Sequence, residues 1–203
     1  MRNDQYPIGS VRALLDSGLV GEPARLLLKS RLERKDTIDP VFFDQNAYET
    51  VRSVCMRLIP QNDRAEQIDL AGMLDEYLAG NEGNGWRYDQ MPADQSAFIS
   101  GIIGINQASE QCFGKEFKLL SETEQDRILT TIQSGEAEGQ IWSEIPSTLF
   151  FEELLATLVE LYYSHPIAKE EIGEVAFADA KGWNHIGLNE HEAHEPLPVK
   201  KGD

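Results

Sequence analysis

The stretch Ser147-Thr148-Leu149-Phe150-Phe151-Glu152-Glu153-Leu154-Leu155-Ala156-Thr157-Leu158-Val159-Glu160-Leu161-Tyr162-Tyr163-Ser164 decides the fold. Phe150, Leu154, Leu158 and Leu161 recur at helical spacing, and no proline or glycine interrupts them. Consecutive residues on a helix point about 100° apart. The adjacent pairs Phe150-Phe151 and Tyr162-Tyr163 therefore cannot share one narrow stripe. Two arrangements satisfy this pattern. Either the helix is central and buried all round, or part of its aromatic band leaves the chain's own core for another surface.

The same periodicity extends outward through most of the chain. Val11, Leu14 and Leu15 are spaced as a helix face, and Pro23 can open a second helix with Leu26, Leu27, Leu28 and Leu32 on its apolar side. Its other side carries Arg25, Lys29, Arg31, Arg34 and Lys35. Asp39-Pro40 breaks the chain. Asp44 is placed to cap a helix through Tyr48, Val51, Cys55 and Leu58 that stops at Ile59-Pro60. Ile68 to Leu78 forms the next face, followed by a Gly-rich loop over 80–92. A helix from about Asp94 carries Phe98, Ile102, Ile103 and Ile105. Ser121-Glu122-Thr123-Glu124 is a capping box, and Gly135 suits the position just past that helix. Beyond His165-Pro166 the sequence reads as irregular. No β alternation is visible. The expected fold is all-α: one irregular helical domain with an extended, loop-rich C-terminal arm. Its expected division is an N-terminal helical segment 1–38, a helical core 39–164 and an arm 165–203.

Charge and hydropathy exclude several classes of function. The chain has 203 residues, 35 of them acidic and 18 basic, for a net charge of −17. Residues 1–60 carry +1, 61–133 carry −8 and 134–196 carry −11. Nucleic acid is excluded as a partner, because phosphate binding needs a basic face. No apolar run approaches the ~20 residues of a membrane-spanning helix, so no direct membrane insertion is expected. Met1-Arg2-Asn3-Asp4-Gln5 shows no export signal. The expectation is a cytoplasmic chain, or a periplasmic one carried out by a signal-bearing partner.

No constellation for autonomous chemistry emerges. Gly80, Gly83 and Gly85 lack the Lys-Ser/Thr and the preceding strand of a phosphate loop. His191-Glu192-Ala193-His194 places its histidines at i, i+3, where a zincin helix needs i, i+4, and Pro196 follows closely. None of the four histidines has a Glu three residues before it, so the di-iron bundle motif is missing. Cys55 and Cys112 lack a CxxC pairing, which leaves buried free thiols or one disulfide. The acidic pairs Glu152-Glu153 and Glu170-Glu171 read as a solvated face. No catalytic, cofactor-binding or metal-binding residue is assigned. The informative feature is the aromatic excess. Trp86, Tyr88, Trp142 and Trp183 fall in loops or at helix ends, where aromatics serve as interface anchors or pack over the domain's own helices. Trp142, Phe150, Phe151, Tyr162, Tyr163 and Trp183 are the candidates for packing the C-terminal half or meeting a partner.

The C-terminal third carries a resemblance. Its Phe150-Phe151 helix, its Tyr162-Tyr163-Ser164-His165-Pro166 end and its Gly182-Trp183-Asn184-His185-Ile186-Gly187 close are similar to the gluconate 2-dehydrogenase subunit 3 family. Val51 to Pro60, Ile68 to Ala71 and Phe117 to Ile132 fit the same family, so the similarity spans about residues 42–196. These are the small subunits of bacterial flavin-dependent sugar dehydrogenases. Such a resemblance implies a non-catalytic subunit whose large partner, a flavoprotein of the glucose–methanol–choline (GMC) oxidoreductase type, binds FAD and oxidises a sugar or polyol. Some such complexes add a cytochrome c subunit. The small subunit is thought to assist folding and export of the large one. Residues 164–173 and 187–193 look most like the subunits of glycoside 3-dehydrogenases. Two features depart from the family. The twin-arginine signal of many members is missing, and Gly173-Glu174-Val175-Ala176 stands where many have a Gly-Tyr-x-Gly turn. The competing readings are a free-standing helical binding or scaffold protein and a metal-dependent enzyme using His185, His191 and His194.

Overall fold

Asp44 accepts a hydrogen bond from the Ala47 N–H at 2.8 Å and starts a helix where the sequence places one. The structure, a computed structural model, describes residues 6–80, 88–180 and 182–199. Among these are eight α-helices and no strand. They are α1 Glu22–Glu33, α2 Gln45–Leu58, α3 Leu70–Gly80, α4 Asp94–Phe113, α5 Glu122–Gln133, α6 Gln140–Glu144, α7 Ser147–Tyr163 and α8 Pro166–Ile172. Single 3-10 turns occur at Arg12–Leu14 and Phe117–Leu119. The all-α expectation holds. The Ser121 capping box is present, with the Ser121 N–H donating to Glu124 at 2.8 Å. Gly135, at φ +80°, takes the left-handed position after α5. The Gly-rich loop and Trp86 lie outside the described residues at 81–87.

Chain contacts group these elements into two units, where the sequence suggested three consecutive segments. The first draws on the described residues of Met1–Lys35, Asp63–Ile68 and Tyr162–Asp203, so both chain ends belong to it. The second is Asp36–Asn62 with the described residues of Asp69–Leu161.

In the second unit α2 packs on α3, α4 and α5, and α4 packs on α5 and α6. Tyr48, Leu74, Phe98, Ile102, Ile128, Phe150 and Leu154 are buried there. Two glycines let the helices close on aromatic rings. A Cβ on Gly101 would fall within the Phe150 ring, and one on Gly104 would meet the Trp142 indole. Polar groups in this unit are spent on main chain. Asp75, fully buried, accepts from the N–H groups of Val41 at 2.6 Å, Phe42 at 3.1 Å and Phe43 at 2.9 Å. Asp69 accepts from Thr37 and from Gly72. These two carboxylates pin the turn that leads into α2.

In the first unit Val11, Leu15, Val20, Leu28, Val175 and Phe177 form the core, and α1 packs on α8. The stretch after His165 is not irregular throughout: Pro166 opens α8, the His165 imidazole caps it, and Gly173 at φ +67° ends it. Proline in the first turn and glycine just past the last is the usual asymmetry of a helix. Likewise Val11 to Leu15 makes one 3-10 turn where the spacing suggested a longer helix. The backbone N–H of Gly9 and of Arg12 both donate to the Glu170 carboxylate, at 2.8 and 3.0 Å. This fixes the segment before it can wind further.

His165 joins α1 to α8. Its Nδ1 accepts from the Ile167 N–H at 3.3 Å, so the proton sits on Nε2, which donates to the Arg31 carbonyl at 3.0 Å. Arg31 answers through its guanidinium to the Ser164 carbonyl at 2.6 Å. A proton on Nδ1 would abolish the cap and bury a cation near Arg31, Arg64 and Arg12. Burial therefore pushes the imidazole down from 6.5 to about 4. The unfolded chain takes up this proton near pH 6.5 and the folded chain near pH 4. The contribution is complete above 6.5, declines as the pH falls from 6.5 to 4, and levels off below. It amounts to about 3 kcal/mol. Melting curves across that window test this. His165→Asn, which keeps a capping acceptor without the titration, is expected to flatten the decline relative to wild type, after the carboxylates common to both are subtracted. Parallel curves would count against it.

Candidate partner interface

The buried charges of the first unit are turned inward. Glu170, 4% exposed, takes four hydrogen bonds: the Gly9 and Arg12 N–H groups and the Arg12 guanidinium at 3.2 and 3.1 Å. Its hydrogen bond to the Arg12 guanidinium raises the Arg12 pKa. Glu171 pairs with Arg64 and accepts from the Tyr162 hydroxyl at 2.9 Å. Arg64 also lies over the Tyr162 ring, 5.4 Å from its centre. A cavity of about 150 Å³ opens here beside Tyr6, Arg12, Arg64, Glu170 and Glu171. Its carboxylates and guanidinia already bond one another. The expected solvated face is thus corrected at these positions. Glu170 and Glu171 hold the unit together, and Glu153, 9% exposed, has its pKa raised by burial. Glu152 alone of the four is on the surface, where it accepts from Tyr88 Oη at 2.9 Å.

The six aromatic candidates divide by unit. Phe150 (0% exposed) and Phe151 (6%) are core residues of the second unit. The Phe150 ring lies 6.1 Å from Phe98 and 5.7 Å from Trp142. Trp142 is half-buried, and its indole N–H has no hydrogen-bond partner. In the first unit Tyr162 (2%) is buried and meets half-buried Tyr163 edge-on at 5.1 Å. Helix α7 is buried over most of its circumference, leaving Glu152, Ala156, Val159 and Glu160 outside. Phe150, Phe151 and Tyr162 therefore pack this chain's own core, and of the six only Trp183, 45% exposed, stands on the surface.

The surface of the first unit carries aliphatic residues, and two of the leucines expected on the apolar side of α1 are among them, while Leu28 is buried. Leu26 (62%) and Leu27 (52%) stand out on α1. Ile186 (84%) and Leu188 (93%) stand out on the arm. The arm is braced from within. Glu192 accepts from the backbone N–H groups of Asn184 and His185 and contacts His185 Nδ1 at 3.2 Å, which brings its pKa down to about 2. Glu190 accepts from the Gly187 N–H at 3.0 Å, and Trp183 stacks on His194 at 5.7 Å. No group of three or more His, Cys, Asp or Glu side chains that could hold a metal occurs among the described residues. Cys55 is buried and Cys112 exposed, and no disulfide joins them. Burial pushes the Cys55 thiol up, away from the reactive thiolate. No helix among the described residues is long and apolar enough to cross a membrane.

These features define an all-helical protein whose buried charges serve the inside of each unit and whose surface carries exposed aliphatic side chains. The chain belongs to the gluconate 2-dehydrogenase subunit 3 family, whose family model matches residues 45–189. It is a small, accessory subunit of a dehydrogenase complex. No curated protein and no solved structure matches it.

Proposed function

We propose that this chain is the non-catalytic small subunit of an FAD-dependent sugar dehydrogenase and that it supports folding, stability and maturation of a GMC-type large subunit. The observation that carries this reading is the family match over residues 45–189. The chemistry of the buried side chains agrees with it. The buried carboxylates Asp75 and Glu170 and the half-buried Glu171 are occupied by main-chain N–H groups, guanidinia and a phenol, so they serve the fold. Binding only the folded partner stabilises it by mass action, by about 2.7 kcal/mol at a hundredfold excess over Kd. On this reading FAD resides in the large subunit, a sugar or glycoside of the 3-dehydrogenase type is the substrate, and a cytochrome c subunit accepts the electrons in complexes that have one.

The test is expression of the large subunit with and without this chain, followed by an absorbance scan and a dye-linked sugar oxidation assay. Soluble, yellow, active large subunit only on co-expression is the expected result. Equal solubility, flavin content and activity without this chain would leave a free-standing helical binding protein as the better account.

A further inference from the structure

We infer that the loop 184–192 is a preformed plug that inserts Ile186 and Leu188 into an apolar socket on the flavoprotein subunit of the complex. The inference deepens the reading above and rests on it. The loop ties its carboxylates to its own backbone, while its two large aliphatic side chains stand exposed with no such tie. Glu192 closes the base on the N–H groups of Asn184 and His185, and Glu190 holds the Gly187 N–H at the tip. The Glu190 N–H returns to the Gly187 carbonyl at 3.0 Å, and Asn189 takes the left-handed conformation at φ 62°. Trp183 stacked on His194 braces the stem.

Ile186 and Leu188 are left 84% and 93% exposed by this bracing. Burying such side chains is favourable, and here the loop's own hydrogen bonds hold them in solvent. Because the turn is already fixed by its own hydrogen bonds, docking orders little further backbone, which is the main advantage of preorganisation. The socket is apolar to match these two residues. Its rim is basic or amide-bearing to match the exposed Glu190 and a chain whose net charge is −17. The same charge disfavours a second copy as occupant, since two acidic arms would repel. The tip also falls inside the residues, 45–189, that define the chain as a dehydrogenase subunit.

The experiment uses the full chain co-expressed with its flavoprotein subunit and compares wild type with Ile186→Asp/Leu188→Asp. Neither residue belongs to a core, so the variant is expected to melt with the wild type. The amount of flavoprotein that co-purifies with the tagged chain is expected to fall at least tenfold. Equal co-purification with the variant and with a wild type that does bind would overturn the plug while leaving the subunit reading intact. No binding by the wild type would overturn both. Self-association of the wild type that the variant loses, without flavoprotein capture, would assign the socket to a second copy and overturn the inference as stated.

Discussion

Asp75→Ala is expected to cost about 4 kcal/mol or more of folding free energy, read as a lower urea midpoint with little change in slope. The side chain is fully buried, and its two oxygens take three backbone N–H groups in a row, from Val41, Phe42 and Phe43. Charge-assisted bonds to a carboxylate are the stronger kind, about 1.5–3 kcal/mol each. Alanine removes their acceptor and leaves the Phe43 donor in a buried site and those of Val41 and Phe42 in partly buried ones. Each orphaned donor costs about 1–3 kcal/mol, tempered by whatever water reaches the turn as it opens. A domain has about 5–15 kcal/mol in all. The loss therefore removes a large share, and α2 loses the anchor of its entry turn. Asp75→Asn is expected to fall between, because its amide oxygen keeps part of the acceptor set while its NH2 enters a site built from donors. A loss under about 1 kcal/mol for the alanine variant would show that the turn is held by something else.

The same residue marks the limit of what the sequence discloses. Helix starts and stops are written locally. Asp44, the Ser121-Glu124 box and Gly135 act within a turn of their own positions, and all three appear in the structure as read. The heavy apolar load of α7 likewise predicts burial, though not against what. Asp75, Glu153, Glu170 and Glu171 are different. In a chain with 35 acids, a carboxylate looks solvated unless its donors are visible, and those donors are distant in sequence. The Gly9 and Arg12 N–H groups reach Glu170 across 161 and 158 positions. No periodicity reports such a bond. The pairing of the two chain ends in one unit is hidden for the same reason. The plug at 184–192 is hidden for another: Ile186 and Leu188 sit among Gly, Asn and His without a helical period, so their exposure depends on backbone ties. Helix α8 is missed by the sequence reading although its signals are local. Pro166 and Gly173 are seven residues apart, and the His165 cap, outside the usual Ser, Thr, Asp and Asn set, masks the start.

Gly101→Ala is expected to destabilise the chain by about 2–4 kcal/mol, although alanine is the better helix former. Propensity alone favours the change by about 0.8–1 kcal/mol in a helix interior. Position 101 lies in the middle of α4, and a methyl there would occupy the space of the Phe150 ring. That ring cannot step aside easily. It is 0% exposed and is flanked by the rings of Phe98 and Trp142. Inserting one carbon into a closed core typically costs about 1–3 kcal/mol, and direct overlap with an aromatic ring belongs at the upper end. The steric term therefore outweighs the propensity gain. A double-mutant cycle separates this account from a general intolerance of α4. Phe150→Leu alone leaves a void and is expected to cost about 1–3 kcal/mol. If the ring is the obstacle, Gly101→Ala/Phe150→Leu should be more stable than the sum of the single losses predicts, by at least about 1 kcal/mol, because the methyl partly fills the space the smaller side chain vacates. Strict additivity of the two losses in calorimetric melts would show that Gly101 is required for some reason other than the close approach of α4 to Phe150.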